Sequence, residues 1–238
     1  MLGQFAPTPF DLRFHLLGIP VMVHPTFWLL GALIGWMDGH LDFTLLNVML
    51  IFLSILVHEM GHALLQRRWG DMLYIQLHMT GGAASFIPGP GFTPKRSILV
   101  SLAGPFAGFL LAGIAHLTLV ILLQTIDQTL PFFKEHPKLT NYLFHSLVVL
   151  RRVNILWGIL NLLPIIPLDG GHVSMEVSQL ISRVRGDIWA YRISIVTAIV
   201  VILLSAYFHY QSQFLVIICL FLGYQNWQML NHRTGRNW

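Results

Sequence analysis

Long apolar runs constrain the fold of this chain more than any other feature of its sequence. An α-helix of ~20 apolar residues crosses a bilayer, and in lipid only helices and closed barrels satisfy all of their backbone hydrogen bonds. The sequence therefore predicts an all-α polytopic membrane protein with about six transmembrane helices. The runs lie at roughly 19–37, 44–66, 97–124, 142–163, 188–208 and 213–230.

Composition supports this fold class over a soluble one. Of the 238 residues, 55% are hydrophobic and 10% are charged, whereas a soluble domain carries about 25% charged residues. We therefore expect one domain over 1–238. It would have a core at about 19–172 and two further spans within about 188–230, and it would lie in a lipid bilayer.

The basic residues lie between the apolar runs, so they report orientation in the membrane rather than nucleic-acid binding, and no nucleic-acid partner is expected. The formal net charge is +4. Six spans place both termini on one side, and the excess of basic residues on that side predicts that it is cytoplasmic. These residues are Arg67, Arg68, Lys95, Arg96, Arg183, Arg185, Arg233 and Arg236, whereas the opposite loops hold only Lys134 and Lys138.

The segment 69–94 interrupts the pattern of spans. Polar and apolar residues alternate over 74–80, which is typical of a strand, and Gly81–Gly82 then breaks the alternation. Residues 83–87 could return as a second strand before the Pro- and Gly-rich loop at 88–91. We predict a small β-hairpin or re-entrant sheet between the second and third spans. Such backbone is tolerated at membrane depth where protein or a wet cavity surrounds it.

The second apolar run contains the pattern H-E-x-x-H, from His58 to His62. Positions i and i+4 share one face of a helix, so the two histidines can bind one metal ion. Glu59 lies beside them, where it can take a proton from a water on the metal. Charged residues inside spans are costly and usually functional, which favours a zinc site over a polar cluster that merely joins helices.

A catalytic zinc site needs a third protein ligand and an open fourth position. Most acidic residues of this chain lie in loops or at span ends. Asp169 directly follows the fourth span, whose end lies on the same side as the end of the second span in a six-span topology. Pro164, Pro167 and Gly170–Gly171 break the helix there and let the backbone turn Asp169 inward. We therefore predict that Asp169 is the third ligand.

These motifs resemble those of the site-2 proteases, a family of intramembrane zinc metalloproteases. The family pairs H-E-x-x-H with N-x-x-P-x-x-P-x-D-G on a later helix, which here is Asn161–Gly170. The segment Gly18–Phe27 resembles the opening of the branch that lacks a PDZ domain. Two departures stand out. Gly108 replaces the asparagine of the family's A-G-P-x-x-N pattern, and Arg151–Arg152 falls inside the fourth apolar run. Either that span begins near the arginines, or they face a cavity or a partner.

The resemblance implies a zinc metalloendopeptidase with one Zn²⁺ per chain. It would hydrolyse a peptide bond in or near the transmembrane segment of a membrane-protein substrate, in regulated intramembrane proteolysis. The compact architecture separately favours a prokaryotic cell (inner) membrane as its location. Glu59 would take a proton and pass it to the leaving amine. Asn161 would hold the substrate or the oxyanion, and the strand at Gly81–Gly82 would hold the substrate extended. Asn161 could instead cap or join helices, and Gly81–Gly82 could be only a turn.

Two other functions compete with the protease. A catalytically inactive relative would bind membrane helices without cutting them, although it would have no reason to keep Glu59. A metal transporter is suggested by the 12 histidines. It would need a polar path across the bilayer and often internal repeats, whereas the strong ligands gather on one side here. His116, in the third span, is expected to form a hydrogen bond between helices.

Overall fold

The computed structural model describes residues 7–79, 81–125, 131–207 and 213–235. The chain divides into two compact units. One comprises the chain up to residue 91 together with 103–158, and the other comprises 92–102 together with 159–238. The first unit contains a sheet and the helix that carries H-E-x-x-H, and the second contains Asp169.

Most of the chain is helical, as the apolar runs predict. The helices are α1 (Pro25–Gly35), α2 (Leu41–Gln66), α3 (Pro94–Thr125), α4 (Pro131–Glu135), α5 (Pro137–Asn161), α6 (Asp169–Ile181), α7 (Gly186–Tyr207) and α8 (Gln213–Thr234). The strands are β1 (Leu12–Leu16), β2 (Ile19–Val23), β3 (Gly70–His78) and β4 (Gly81–Pro88).

Four helices in the described part of the chain are long and apolar enough to cross a membrane, namely α2, α3, α5 and α7. The polytopic helical fold is confirmed, and the count of six spans stays a prediction. The expected helix over 19–37 is wrong in its first part, because residues 19–23 form β2. The remaining α1 has 11 residues, a length of roughly 16 Å against a hydrocarbon core of ~30 Å.

The sheet has four strands in the order β1-β2-β3-β4. The predicted hairpin is present as the antiparallel pair β3–β4. A second hairpin, β1–β2, joins it through parallel pairing of β2 with β3. Its tight turn places Leu17 at φ 50° and Gly18 at φ 76°, the backbone that two-residue hairpins require. The sheet is therefore twice the size that the sequence predicted.

One hydrophobic core joins the sheet to α1 and α2. Apolar side chains of β2 and β3 pack against the buried faces of both helices, so the position of α2 is fixed relative to the sheet. The buried members are Ile19, Val21, Val23, Phe27, Ile51, Ile55, Leu56, Met60, Ala63, Ile75 and Leu77.

Polar side chains join α2 to α5. The Nε2 of His145 lies 2.7 Å from the Oδ1 of Asn47, and the Nδ2 of Asn154 donates to the Oγ of Ser54 at 2.9 Å. Residues in α5 thus lie opposite residues about a hundred positions earlier in α2, so the two helices run parallel. Hydrogen bonds of this kind hold membrane helices together where the hydrophobic effect is absent.

In the second unit, the bend between α5 and α6 is attached to the two C-terminal helices. The backbone N–H of Ile166 donates to the Oγ of Ser194 in α7 at 3.1 Å. Its carbonyl oxygen accepts from the Nδ2 of Asn226 in α8 at 2.6 Å. Buried Ile165 packs in a cluster with residues of the same two helices, Ala198, Cys219 and Leu222. α7 and α8 therefore position the segment that leads into α6.

Candidate metal centre

α2 presents the H-E-x-x-H side chains on its buried face. His58, Glu59 and His62 expose only 3%, 5% and 7% of their surface. The Nε2 atoms of the two histidines lie 3.1 Å apart. In a tetrahedral zinc site with Zn–N bonds of ~2.0–2.1 Å, two ligand nitrogens are separated by roughly 3.3–3.4 Å. Two converging imidazoles at this spacing fit zinc.

A glycine of α3 makes room for the second histidine. A Cβ atom at Gly104 would lie 2.1 Å from the Nε2 of His62, and a Cβ atom at Gly61 would lie 2.5 Å from the carbonyl oxygen of Ala103. No side chain fits at either position without moving α2 and α3 apart. Gly104 and Gly108 form a small-xxx-small pattern, which favours close helix approach, but the contact of Gly104 with His62 could not be read from the sequence.

The start of β4 lies against Glu59. A Cβ atom at Gly82 would come within 2.4 Å of the Cγ of Glu59, so bare backbone passes directly beside the carboxylate. Gly81 has φ +120°, a conformation that side chains rarely adopt, and it faces the indole of Trp157. The structure thus brings Gly82 to Glu59 and Gly81 to Trp157. Nothing in the sequence indicates the contact between Gly81 and Trp157. Thr80, included in the expected strand, lies outside the described residues.

Within the second unit, Asn161 and Asp169 stand at the two ends of the bend. Asn161 is the last residue of α5 and is buried, and Asp169 is the first residue of α6 and is half-buried. The bend is tight, since a Cβ atom at Gly170 would lie 2.1 Å from the carbonyl oxygen of Leu162. Only glycine permits this turn at the start of α6, which places a carboxylate at a helix N-terminus.

The predicted donor set is two imidazole nitrogens and one carboxylate oxygen, from His58, His62 and Asp169. Zinc accepts these ligand types in catalytic sites, where two histidines and one carboxylate recur. The ligand chemistry therefore fits zinc, with Glu59 left over as a carboxylate that the metal does not need.

Two buried histidines of the sheet lie outside this donor set. Burial lowers the pKa of His78, and the neighbouring His24 lowers it further by charge repulsion. His24 caps α1, because its Nδ1 accepts from the backbone N–H of Thr26 at 3.3 Å. His24 therefore has a structural role as the cap of α1.

Comparison with known proteins shows the family to which the chain belongs. Residues 46–205 match the model of peptidase family M50. A zinc metalloprotease of Methanocaldococcus jannaschii is 30% identical over 166 residues, which cover 67% of this chain and 43% of that protein. Stage IV sporulation protein FB of Bacillus subtilis is 28% identical over 161 residues, 64% of this chain and 46% of that protein.

The fold also matches a solved structure. The site-2 protease from Methanocaldococcus jannaschii superposes with a TM-score of 0.58 at 21% identity, covering 93% of this chain and 95% of that one. The chain belongs to peptidase family M50, the site-2 protease family. It spans less than half the length of the curated relatives described above.

Proposed function

We propose that this protein is an intramembrane zinc metalloprotease that hydrolyses a peptide bond in or near the transmembrane segment of a membrane-protein substrate. The observation that carries this proposal is the buried H-E-x-x-H face of α2. There the two Nε2 atoms lie 3.1 Å apart and Glu59 stands beside them. The whole of 1–238 would serve one protease domain.

His58, His62 and Asp169 would hold one Zn²⁺ per chain. Three protein ligands leave a fourth position open, as catalytic zinc sites require. Zinc supplies Lewis acidity there, which activates water and polarises a carbonyl group. Support for Asp169 comes from its place in N-x-x-P-x-x-P-x-D-G and from a bend that only glycine permits at Gly170.

Glu59 would act as the general base and then as the general acid. It accepts the proton of the attacking water and passes it to the leaving amine. Its burial, with 5% exposed, removes competing bulk water and strengthens these electrostatic interactions. The backbone of Gly82 fixes one side of the carboxylate, which limits the directions from which a peptide bond can approach.

The start of β4 would hold the substrate. β4 is the last strand in the order of the described sheet, so it is suited to pair with an added strand by β-augmentation. A helical substrate must unwind before its carbonyl groups become available, and pairing with the backbone at Gly81–Gly82 would stabilise the unwound form. Asn161 would bind the substrate or the oxyanion through its side-chain amide.

The orientation follows the basic residues. Both termini would lie in the cytoplasm of a prokaryotic cell, in its inner membrane, with the end of α2 on the same side. The release of membrane-tethered regulators, as in regulated intramembrane proteolysis, is the biological role that this placement suits.

Zinc content and cleavage test the proposal. We expect about one zinc per chain in the protein purified without chelators. The same content is expected in Glu59→Gln, and at least tenfold weaker binding in Asp169→Ala. Glu176→Ala in α6 is the matched control and should retain zinc. Glu59→Gln should lower cleavage of single-span membrane reporters by ~10²-fold or more.

Four results would contradict the proposal. Absence of zinc from the wild-type protein would show that it has no catalytic zinc. Equal zinc affinity in Asp169→Ala would show that another residue is the third ligand. A fully active Glu59→Gln variant would show that Glu59 is not the general base. A wild-type protein that holds zinc but cleaves nothing would favour the catalytically inactive binder of membrane helices.

A further inference from the structure

Two arginines lie close to the middle of a membrane-spanning helix. Arg151 and Arg152 are inside α5, which runs without a break from Pro137 to Asn161. α5 therefore does not start at the arginines, which favours the alternative in which they face a cavity or a partner. At 1.5 Å per residue, both lie within about 5 Å of the midpoint of the helix. A guanidinium at this depth is costly and marks a functional site by default.

Arg151 has a partner in its own unit. Its Nη1 donates to the Nδ1 of His116 in α3 at 3.2 Å. This contact confirms that His116 bonds between helices, and it accounts for one of the two charges.

Arg152 has no hydrogen bond or ion pair to any described residue, and its side chain is exposed. Apolar side chains surround it on the same face of α5. Val148 and Leu156 lie one turn before and after it and are 40% and 48% exposed, and Ile155 is 38% exposed. These four residues, Val148, Arg152, Ile155 and Leu156, form what we call the Arg152 stripe. It is an apolar helix-packing surface with one permanent positive charge at its centre.

The charge limits what can cover the stripe. Lipid phosphates lie about 15 Å from the centre of the hydrocarbon core, further than an arginine side chain extends. The described residues of a second copy of this chain offer no exposed carboxylate in the interior of a candidate span. Among the described residues, Glu59 is the only carboxylate in the interior of a candidate span, and it is 5% exposed.

We propose that the Arg152 stripe binds a transmembrane helix of another membrane protein that carries one Asp or Glu near its middle. The carboxylate pairs with the guanidinium of Arg152, and apolar side chains of the helix pack on Val148, Ile155 and Leu156. Hydrogen-bonded pairing of this kind is favourable in lipid because neither charge has water available. The binding goes beyond the proposed cleavage and does not require it.

Synthetic transmembrane helices test the proposal. The probes are Leu/Ala peptides of about 22 residues with a single central Glu, Gln or Lys. Their binding to the full chain is measured by energy transfer in phosphatidylcholine vesicles. The full chain carries Glu59→Gln, so that cleavage cannot change the result and failure of the proposed protease activity is scored separately.

We expect the Glu peptide to bind about three- to thirtyfold more tightly than the Gln peptide. Arg152→Gln should abolish that preference, and Arg152→Lys should retain most of it. Arg152→Glu should reverse the preference in favour of the Lys peptide. Arg183→Gln, which removes the same charge at an exposed position after α6, is the matched control and should behave as the parent does.

Two outcomes would overturn the proposal. The first outcome is equal binding of the Glu and Gln peptides to the Glu59→Gln chain while that chain retains zinc. This result would show that Arg152 does not bind a carboxylate. The second outcome is that the preference for the Glu peptide disappears when phosphatidylglycerol is added, while the Arg152→Gln variant shows no change that depends on the peptide. This result would assign the site to anionic lipid instead.

Discussion

α2 and α5 both carry ionisable side chains inside a candidate span, but those of α2 are buried whereas Arg152 of α5 is exposed. The H-E-x-x-H side chains of α2 are enclosed by bare backbone of β4 and by Gly104 of α3. Arg152 of α5 faces outward among exposed apolar residues. Enclosed groups act on what enters the protein, whereas an outward charge acts on what lies beside it. In the proposed functions, the H-E-x-x-H face of α2 carries out chemistry and the Arg152 stripe of α5 binds a partner helix.

A larger side chain beside His62 should have the largest effect on zinc binding and cleavage. We expect Gly104→Ala to weaken zinc binding at least tenfold and to abolish cleavage, because the new Cβ would lie 2.1 Å from the Nε2 of His62. Gly113→Ala, in the same helix with no heavy atom within 4 Å of its Cβ, should leave zinc binding unchanged. A Gly104→Ala protein with normal zinc affinity would mean that α3 does not enclose the metal centre.

Filling the space beside Glu59 should reduce activity while the metal is kept. Gly82→Ala places a Cβ 2.4 Å from the Cγ of Glu59, so the carboxylate must move. A displaced catalytic group costs up to ~10²-fold in rate. Ala83→Val adds bulk on the opposite face of the strand and should cost much less. Zinc content and the cleavage rate of each variant are measured together, and loss of zinc in Gly82→Ala would contradict the assigned role.

Substitutions at buried contacts should lower the free energy of unfolding, whereas substitution of the exposed Arg152 should not. Asn154→Ala removes a buried hydrogen bond to Ser54 and should lower the free energy of unfolding by about 1 kcal/mol. Arg152→Gln should not lower it, because no described residue pairs with the guanidinium and because a charge at this depth is itself costly. Thermal unfolding in one detergent gives both values. Equal destabilisation would show that Arg152 has a partner within the chain.

The smallest effect concerns pH. Burial lowers the pKa of His78, so the unfolded chain takes up a proton there more readily than the folded protein. The stabilisation is complete above the ordinary histidine pKa of ~6.5 and is lost as the pH falls through the lower pKa of the folded state. We expect His78→Gln to lose less thermal stability on acidification than wild type does. An unchanged pH dependence would refute this.

Sequence reasoning found the parts of the site that lie on one element. His58, Glu59 and His62 follow from helical periodicity alone, and the β3–β4 hairpin follows from alternation over neighbouring residues. The β1–β2 hairpin was missed because Ile19–Val23 is a short apolar run, which fits a strand or a helix equally well. Its pairing with β3 depends on residues some fifty positions away. The contact of Gly104 with His62 was missed for the same reason, since it requires the packing of two helices.

Ile166 shows why a shorter version of this chain should fail. Its two backbone polar groups depend on side chains of α7 and α8, helices that carry none of the catalytic motifs. A fragment ended after residue 172 would keep every proposed zinc ligand. It would leave an N–H and a C=O without partners, each costing several kcal/mol in lipid. α7 and α8 therefore act as scaffolding for the segment that leads into α6, although they carry none of the catalytic motifs.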